Sequence, residues 1–405
     1  MEKIMVLGGG INQIPLLKKA KNCGYYVVLC DYLTECPGRK EADIHYYVST
    51  YDYDKVKKVA IEESVDGVVT NSEPVLHIVS RLTDELKLPS VPLETMELFL
   101  NKDKMRELLT PKGLSDIAYK TCYTKEEALD FYSIQEKKLI MKPIDNSASR
   151  GVFSINSETD IENYFAETMR QNRRQSKILL EEYISGEEFT ADGICINGKH
   201  TTLAISKKKH YSYNENVADE LFFSYYDEYY DYDEIRNYND SIVHATGLPF
   251  GMTHSEYKYN NGKYHLIEIA ARGGGSFIST KIVPYLSDTD TVKILIDSAM
   301  GKGDNLDYKY PDLAKKRVAV LKFFDTPDNR EGVVKAIDGL DYLESEKRII
   351  DYNIEFSVGD YIHPANNDSE RIGYYIAIAE SKSELKKLMS SIDNKFHIYF
   401  TGDEI

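Results

Sequence analysis

Two glutamates, twelve residues apart, carry the strongest chemical signal in the sequence. Glu256 in HSEYKY and Glu268 in LIEIAAR lie on neighbouring predicted strands joined by the turn YNNGKY. A tight hairpin sets the two carboxylates side by side, where they repel each other unless a cation lies between them. Magnesium takes one or two protein carboxylates and completes its shell with phosphate oxygens. Arg272, four residues after Glu268, is well placed for an anion held by that cation, so the stretch predicts a metal-assisted site for a phosphate group.

Two stretches upstream carry residues suited to a nucleotide. Lys142 ends the predicted strand KKLIMKPI and faces the loop DNSASRG, whose small residues let backbone amides fold over phosphates. The stretch LLEEYISGEEF runs from a strand through two acids and a turn to Glu188. Taken alone it favours an exposed acidic edge. The alternative is a hinge whose backbone binds an adenine while a carboxylate holds the ribose.

The N-terminal stretch VLGGGINQI raises a third possibility, a dinucleotide site. A strand, a glycine turn and a helix point backbone N–H groups at a phosphate, and Asp31 follows at the distance expected for a ribose ligand. Gln13 stands where the third glycine of that fingerprint belongs, and many α/β domains with glycine turns bind no dinucleotide. Glu73 in TNSEP falls at the same predicted sheet edge, either as a substrate contact or as a helix N-cap neighbour.

The composition limits the classes of partner. The 405 residues are 42% hydrophobic, enough for two to four domain cores, and no run approaches the roughly 18 apolar residues of a membrane span. A net charge of −16 argues against nucleic acid, although a local cluster of cations could still bind a small anion such as ATP. Five cysteines without a C-x-x-C pair argue against a disulfide framework and a zinc site. With no predicted export signal, we expect a cytoplasmic protein.

The order of predicted elements indicates three regions. Strands and helices alternate from residue 1 to about 95, which predicts a parallel sheet with crossover helices. A strand, a glycine loop and a strand follow, then antiparallel strands to about residue 315, and short strands with one helix make up the rest. The tyrosine-rich segment 211–232 is interpreted as a half-buried connection, with a stacking or substrate surface as the alternative.

Taken in this order, the lysine and glycine loop, the acidic hinge and the two glutamates followed by an arginine resemble the ATP-grasp superfamily. The similarity is to carboxylate–amine ligases such as the L-amino acid ligases, biotin carboxylase and the carboxyaminoimidazole ribonucleotide synthetases, and it covers nearly the whole chain. It implies an ATP-grasp fold of mixed α/β and α+β class. The expected domains are a Rossmann-like N-terminal domain (1–95), an ATP-grasp domain (96–315) with lobes at about 115–185 and 186–315, and a small β-rich C-terminal domain (316–405). In that family the N-terminal glycine turn lies over a substrate site and binds no dinucleotide.

The resemblance assigns roles to residues of the nucleotide half. Lys102 corresponds to the first phosphate-binding lysine, with Lys104 as the competing choice, and Lys142 to the second. Glu181 is expected to face the adenine amine, while Ile184 uses its backbone. The mobile phosphate loop corresponds to Ser147, Ser149 and Gly151. The adenine hinge corresponds to Glu181, Glu182, Tyr183 and Ile184, and the ribose ligand corresponds to Glu188.

The resemblance also assigns the catalytic end. Glu256 and Glu268 correspond to the ligands of magnesium or manganese, and Arg272 to the arginine that holds the acyl phosphate and the tetrahedral intermediate. His254, two residues before Glu256, shares its predicted strand face and either orients a substrate, acts as a base or packs there for structural reasons. Ala270 stands where many members have an asparagine, which puts full two-metal coordination in doubt.

The activity implied by the resemblance is ATP-dependent ligation. ATP and Mg²⁺ (or Mn²⁺) would serve to convert a small carboxylate into an acyl phosphate, which is joined to an amine, an amino acid among the candidates, with release of ADP and phosphate. The alternatives are a carbamoyl-phosphate or biotin-carboxylase-like enzyme and a catalytically weak ATP-binding protein. A Rossmann oxidoreductase would leave Lys142 and both glutamates without a role. The expected partners are small molecules, and a homodimer is a possible assembly.

Overall fold

The computed structural model describes residues 1–135, 137–146, 150–303 and 316–403. Within these ranges the strands form four sheets, one of them parallel and the others antiparallel. None of the helices described there has the length and apolar character that a membrane crossing needs. The mixed parallel and antiparallel architecture confirms the predicted fold class.

The N-terminal sheet is parallel, with the strand order β3-β2-β1-β4. Its strands β1, β2 and β4 are short, mostly buried apolar runs, as the alternating pattern predicts, whereas the edge strand β3 is half-buried. Two further helices, the second of which begins at Lys102, lead out of this sheet. The elements are β1 Lys3–Leu7, α1 Ile14–Asn22, β2 Tyr26–Asp31, β3 Ile44–Tyr47, α2 Tyr53–Glu63, β4 Gly67–Val69, α3 Leu76–Glu85, α4 Leu93–Leu100 and α5 Lys102–Leu109.

The glycine turn after β1 is closed by its own neighbours. The Asp31 carboxylate accepts a 2.7 Å hydrogen bond from the Gly9 N–H, and the Gly9 carbonyl accepts one of 2.8 Å from Gly38. A Cβ at Gly9 would lie 2.5 Å from the Cys36 sulfur. The glycine is therefore required by packing, and Asp31, the residue that a dinucleotide site would use for a ribose, holds the turn instead.

A small lobe follows, with a four-stranded antiparallel sheet in the order β5-β8-β6-β7. Both helices of the lobe pack on this sheet and bury its apolar face in a separate core. The N-terminus of its second helix has a complete capping box, in which Ser157 and Asp160 each accept the other's backbone N–H. The elements are β5 Tyr119–Cys122, α6 Lys125–Gln135, β6 Leu139–Pro143, β7 Phe153–Ile155, α7 Glu158–Arg170 and β8 Ile178–Glu182.

The largest sheet has eight strands in the order β13-β12-β9-β10-β11-β14-β18-β16. Its last three strands come from the C-terminal part of the chain, so hydrogen bonds cross the predicted boundary at residue 315. The elements up to that boundary are β9 Glu187–Ile196, β10 Lys199–Tyr211, β11 Asn214–Phe223, α8 Tyr232–Thr246, β12 Gly251–Asn260, β13 Lys263–Ala270, α9 Val283–Ser287 and α10 Thr291–Ala299.

The C-terminal part adds a three-stranded sheet in the order β17-β15-β19. Its apolar core is shared with the strands that join the large sheet, which fixes both sheets against each other. The elements are β14 Val318–Phe323, β15 Gly332–Asp338, α11 Leu340–Ser345, β16 Ile349–Ile354, β17 Tyr361–Ile362, β18 Gly373–Ala379, α12 Lys382–Asp393 and β19 His397–Phe400.

The tyrosine-rich segment 211–232, interpreted as a half-buried connection, is one only in part: residues 224–231 connect β11 to α8. Residues 214–223 form β11, an interior strand of the large sheet. The rings of Tyr230 and Tyr232 pack on Phe189, with centroids 4.9 and 6.1 Å away. Tyr230 and Tyr232 therefore belong to a core between the sheet and α8, whereas Tyr226 and Tyr229 are exposed.

One apolar core ties the N-terminal sheet to the large sheet. It contains Ile4 and Val6 of β1, Met252 of β12 and Ile296 of α10, all nearly inaccessible to solvent. Beside this core, the residues that follow β4 contact those that follow β13, through Asn71 with Gly273 and Glu73 with Arg272. The site described next lies where these elements meet.

Candidate functional site

A cavity of about 1370 Å³ lies between the N-terminal sheet, the small lobe, the large sheet and a C-terminal segment. Most of the predicted site residues line it, although they come from regions far apart in sequence. The tyrosines at 225–232 do not line it, so the interpretation of a substrate surface finds no support there. The predicted residues at its wall are Lys102, Lys142, Tyr183, Glu188, His254, Glu256, Glu268 and Arg272.

The two glutamates of the hairpin face each other directly. Glu256 and Glu268 are register partners on β12 and β13, as the turn and the twelve-residue spacing predict. Each carboxylate has a lysine counter-charge: Lys208 Nζ lies 3.0 Å from Glu256 Oε1, and Lys102 Nζ lies 2.8 Å from Glu268 Oε1. Burial alone would raise the pKa of Glu256, but Lys208 and His254 outweigh it and hold that pKa well below its usual range. Glu256 therefore stays ionised, and both glutamates line the cavity.

The chemistry of this donor set fits magnesium bound together with a phosphate. Within the described ranges, no group of three or more His, Cys, Asp or Glu side chains is arranged to hold a metal ion. Two carboxylates are, however, what Mg²⁺ takes from a protein when phosphate oxygens supply other ligands. Lys102, whose ammonium also donates to the Asn146 carbonyl at 2.6 Å, lies beside the same glutamate. Burial would lower the pKa of Lys102, but Glu268 outweighs it and raises that pKa.

Lys142 is held by a buried charge bridge that corrects the prediction for Glu181. Its ammonium lies 2.8 Å from Glu181 Oε2, while Arg106 Nε lies 2.7 Å from Glu181 Oε1. The Glu181 residue is only 2% exposed and is not at the cavity wall. Burial would raise the pKa of Glu181, but Arg106 and Lys142 outweigh it and lower that pKa to about 2. The carboxylate therefore positions Lys142 and does not face an adenine amine.

Arg106 was not predicted from the sequence. It lies four residues after Lys102 on α5, so both side chains share one helix face. Two basic residues four apart on a helix that leads into a nucleotide site could have indicated from the sequence that Arg106 belongs to the site.

The predicted hinge divides its side chains between the cavity and the surface. Glu182 pairs with Lys137 at 3.0 Å, and its side chain points away from the cavity. Tyr183 lines the cavity and has the ammonium of Lys138 3.9 Å from its ring centre. Ile184 is half-buried. Of the four hinge residues, Tyr183 is the one whose side chain borders the space where a base could lie.

Glu188 lies in a cationic environment, contrary to the exposed edge that its segment alone favours. Its carboxylate is 2.7 Å from Lys208, 3.5 Å from His210 and 3.6 Å from Lys258. Lys208 and Lys258 are its register partners on the strands to either side, β10 and β12. The strand alternation explains the rest: Lys208 and His210 share one face of β10, while Lys207 points to the other and pairs with Glu187.

From the sequence, the run KKKH (207–210) favours a solvated strand end, with a Lys208 that reaches the active site as the alternative, and the structure supports the alternative. The Lys208 ammonium bridges Glu188 and Glu256, and its side chain is only 11% exposed. Burial would lower the pKa of Lys208, but the two carboxylates outweigh it and raise that pKa. Lys208 is therefore charged at neutral pH.

His254 is oriented by Asp192, a residue that sequence reasoning missed. The two lie opposite each other on β12 and β9, with Nδ1 2.9 Å from Asp192 Oδ1, while Nε2 is 3.7 Å from Glu256 Oε1. Burial would lower the pKa of His254, but Asp192 and Glu256 outweigh it and raise that pKa to about 9. The imidazole is thus protonated at neutral pH and acts as a cation, which disfavours the role of base. Ala270 lies opposite His254 on β13.

Arg272 connects the large sheet to the N-terminal domain. Its Nε and Nη2 lie 3.0 and 2.9 Å from Glu73 Oε2, and its Nη1 donates to the Gly273 carbonyl at 2.9 Å. The Gly273 N–H in turn donates to the Asn71 side chain at 3.1 Å. Of the two roles considered for Glu73, the structure favours the one at the site, since its carboxylate fixes the arginine that faces the cavity.

Close packing leaves no room for side chains at Gly273 and Gly274, which follow Arg272. A Cβ at Gly274 would lie 2.7 Å from Asp192 Oδ1, and one at Gly273 would lie 2.2 Å from Ser279 Oγ. The Gly274 N–H also donates to Asp192 at 3.3 Å. The loop therefore joins the arginine and the histidine into one rigid unit.

Part of the predicted phosphate loop falls outside the described residues. Ser147 and Ser149 belong to that part, whereas Arg150 lines the cavity. Gly151 has a φ of +72°, and a Cβ there would lie 2.7 Å from Gln171 Cγ. The glycine closes the loop onto the small lobe at a position where another residue would be strained.

Two family models match the chain. An ATP-grasp domain model matches residues 135–281, and an L-amino acid ligase C-terminal domain 2 model matches residues 327–401. The first match contains the hinge, Glu188, both glutamates and Arg272. The second contains the segment that closes the far end of the cavity. Together they account for most of the cavity wall outside the N-terminal domain.

Individual proteins show the same relationship. Dapdiamide A synthase from Enterobacter agglomerans is 23% identical over 218 residues, a match that spans 52% of this chain and 51% of that protein. The crystal structure of L-amino acid ligase from Bacillus licheniformis has a TM-score of 0.80 at 21% identity and covers 99% of both chains. The biotin carboxylase domain of Hydrogenobacter thermophilus 2-oxoglutarate carboxylase, crystallised with MgADP, has a TM-score of 0.76 at 17% identity and covers 98% of this chain and 91% of its own. With its lysines, paired glutamates and arginine gathered in one cavity, the chain contains an ATP-grasp domain, followed by a C-terminal domain of the L-amino acid ligase type.

Proposed function

We propose that the protein activates a small carboxylate as an acyl phosphate with ATP and joins it to an amine, releasing ADP and phosphate. The observation that carries this proposal is the convergence on one cavity of two opposed glutamates with Lys102, Lys142 and Arg272. Binding of a nucleotide alone would need the lysines and the hinge. It would leave Arg272 and the N-terminal wall of the cavity without a role.

In this proposal ATP lies across the cavity from the hinge to the glutamate pair. Tyr183 borders the adenine, and Glu188 accepts hydrogen bonds from the ribose hydroxyls. Lys102 and Lys142 contact the phosphates, and the charge bridge to Glu181 keeps Lys142 extended toward them. Magnesium held by Glu256 and Glu268 would offset the negative charge on the transferred phosphoryl group.

The first step is phosphoryl transfer to the carboxylate substrate. A carboxylate oxygen forms a bond to the γ-phosphorus, the bond from that phosphorus to the bridging oxygen of ATP breaks, and ADP leaves. Arg272, fixed by Glu73, stabilises the charge on the transferred group, and the protonated His254 contributes a second cation.

The second step is attack by the amine on the acyl carbon. The C–N bond forms, the C–O bond to phosphate breaks, and the amine releases a proton as phosphate departs. Arg272 stabilises the oxyanion formed in between. Closure of the cavity protects the acyl phosphate from water.

We further propose a homodimer as the assembly and a reducing compartment such as the cytoplasm as the location. All five cysteines are free and four of them are buried, an arrangement that suits a reducing environment. Light scattering of the purified protein at two concentrations tests the dimer, because a dimer has twice the mass of 46.4 kDa.

The test of the ligase is phosphate release from Mg·ATP across single carboxylates, bicarbonate and formate included, and across carboxylate–amine pairs. Glu268→Gln should lower a pair-dependent signal at least 100-fold, since it removes a metal ligand and the partner of Lys102. Glu346→Gln, which neutralises an acid outside the cavity, serves as the matched control and should leave the signal unchanged. ATP binding at equal affinity in wild type and Glu268→Gln, without turnover on any pair, would refute the proposal.

A further inference from the structure

Gln13, which stands where a dinucleotide fingerprint has its third glycine, is a buried residue that has no part in the steps above. It ends the short helical turn Ile11–Gln13 after the glycine turn, and it is only 5% exposed. Its side chain does not line the cavity, although the neighbouring Asn12 does. A buried carboxamide needs hydrogen-bond partners, and the partners of Gln13 indicate what the residue does.

The Gln13 carboxamide reaches from the turn after β1 to the loop that follows β4. Its Oε1 accepts a 3.1 Å hydrogen bond from the Asn71 N–H, and its Nε2 donates to Thr70 Oγ1 at 3.3 Å. Thr70 Oγ1 in turn donates to the Leu7 carbonyl at 2.8 Å and accepts from the Ser72 N–H at 3.0 Å. A glutamine supplies this acceptor and this donor in one side chain, whereas a glycine has neither. The bonds fix the loop after β4 against the carboxyl end of β1.

The loop after β4 carries contacts to Arg272 and to the residue that follows it. Glu73 Oε2 lies 3.0 and 2.9 Å from Nε and Nη2 of Arg272. Asn71 Oδ1 accepts the Gly273 N–H at 3.1 Å, while the backbone N–H of the same asparagine is bound to Gln13. A continuous chain of hydrogen bonds therefore runs from the glycine turn of the N-terminal domain to Arg272.

Packing alone does not hold this loop, because open space lies on two sides of it. A second cavity, of about 50 Å³, separates the loop from the apolar side chains of Met252 and Leu295. Asn71 and Arg272 line both this cavity and the larger one. Protein interiors resist displacement where side chains fill the space, and here they do not fill it. The hydrogen bonds from Gln13 supply the restraint that packing lacks at this place.

We propose that Gln13 is a positioning residue of the ligase, which holds the loop after β4 where Asn71 and Glu73 keep Arg272 directed at the acyl phosphate. The proposal rests on the proposed ligase activity and adds to it a residue that acts from outside the cavity. A displacement of about 1 Å at a reacting group can lower a rate by up to about 100-fold, so an anchor of this kind affects turnover without touching a substrate.

Hydrogen exchange tests the anchor without any turnover. Gln13→Met keeps the length of the side chain but has no N–H to donate and only a weak acceptor. Exchange at the amides of Asn71 and Gly273 should become faster by about tenfold, the upper range of one net hydrogen bond. Asp66→Ala is the matched control, since it removes a 2.8 Å hydrogen bond from the Lys3 N–H at the opposite end of the same two strands. It should leave both amides within about twofold of wild type. Unchanged exchange at Gly273 in Gln13→Met overturns the proposal.

Turnover of the productive pair from the phosphate-release panel tests the consequence for catalysis. Gln13→Met should lower kcat by about tenfold and change KM of ATP by less than about twofold, the pattern of a lost transition-state contact. Thr70→Val removes the hydroxyl that Gln13 binds and should act in the same direction, whereas Thr70→Ser keeps the hydroxyl and should retain most of the activity. Asp66→Ala should behave as wild type.

A double-mutant cycle shows whether the effect passes through Arg272. In the Arg272→Ala background, Gln13→Met should lower kcat by no more than about twofold further, because the group that it positions is already gone. Fully multiplicative losses, or a raised KM of ATP with kcat unchanged, indicate a structural role and contradict the proposal. Normal turnover by Gln13→Met in an active ligase overturns only the positioning role. Absence of turnover on every pair overturns the ligase, and the positioning role with it.

Discussion

The charge bridge at Glu181 leads to a quantitative prediction for Glu181→Gln. The amide keeps the shape of the side chain but leaves Arg106 and Lys142, both nearly inaccessible to solvent, without their shared counter-charge. A carboxyl pKa lowered from 4.5 to about 2 corresponds to about 3 kcal/mol of preference for the charged form in the folded state. The loss matches the range of about 3–5 kcal/mol found when one partner of a buried pair is removed.

The assay is hydrogen exchange measured by mass spectrometry on peptides that contain β6 and β8, the strands that carry Lys142 and Glu181. At pH 7 the protection of these strands should fall by about two orders of magnitude, because about 1.4 kcal/mol corresponds to a factor of ten. Glu182→Gln is the matched control: its neighbouring acid makes an exposed pair with Lys137, and its effect should stay below about 0.5 kcal/mol.

The pH dependence gives a second, independent check. Because the folded-state pKa of Glu181 is lowered, its stabilisation is complete above the ordinary carboxyl pKa and is lost as the pH falls from about 4.5 toward 2. The difference between wild type and Glu181→Gln should therefore shrink to roughly 1.5 kcal/mol at pH 3. Protection in the mutant within twofold of wild type at pH 7, or a difference that does not narrow at pH 3, would refute the charge bridge as the support of Lys142.

Three further perturbations test other parts of the site. Gly9→Ala should destabilise the N-terminal domain and lower its melting temperature, since the new Cβ meets the Cys36 sulfur at 2.5 Å, whereas Gly10→Ala, with nothing within 4 Å, should be tolerated in the same calorimetric scan. Arg272→Ala should lower kcat by two to three orders of magnitude, equivalent to about 3–4 kcal/mol, while KM of ATP measured in the same assay changes little. Lys208→Gln should lower the melting temperature of the metal-free protein by several degrees and increase the stabilisation gained from added Mg²⁺, because two carboxylates then lack their cation. An equal Mg²⁺ effect in mutant and wild type would contradict that reasoning.

Local pattern was sufficient for the parts of the site that lie within one hairpin or one strand. A two-residue period and the YNNGKY turn place Glu256 opposite Glu268, and this pairing does not depend on the rest of the protein. The same period places Lys208 and His210 on one face of β10, although it could not say whether that face meets solvent or Glu188. The solvated strand end favoured for KKKH is wrong for Lys208 and holds for Lys209, because strand alternation defines two faces and says nothing about what covers each of them.

Contacts between residues that are far apart in the sequence could not be predicted from local patterns. Arg106 and Glu181 are 75 residues apart, His254 and Asp192 are 62 apart, and Gly273 and Asn71 are 202 apart. Each contact exists because one lobe or sheet is packed against another, and no local spacing encodes that packing. For this reason Glu181 was expected to face an adenine amine, because nothing near it in the sequence indicates its two buried cationic partners.

By itself, then, the sequence determined the residue types of the site, the parallel and antiparallel character of its sheets, and the register of the hairpin that carries the two glutamates. These follow from backbone periodicity and turn chemistry, which act over a few residues. Only the tertiary structure decided which charges neutralise which, and that a segment of the C-terminal domain closes the far end of the cavity. Burial and electrostatic pairing depend on distances in space, which are set when separate apolar cores pack together.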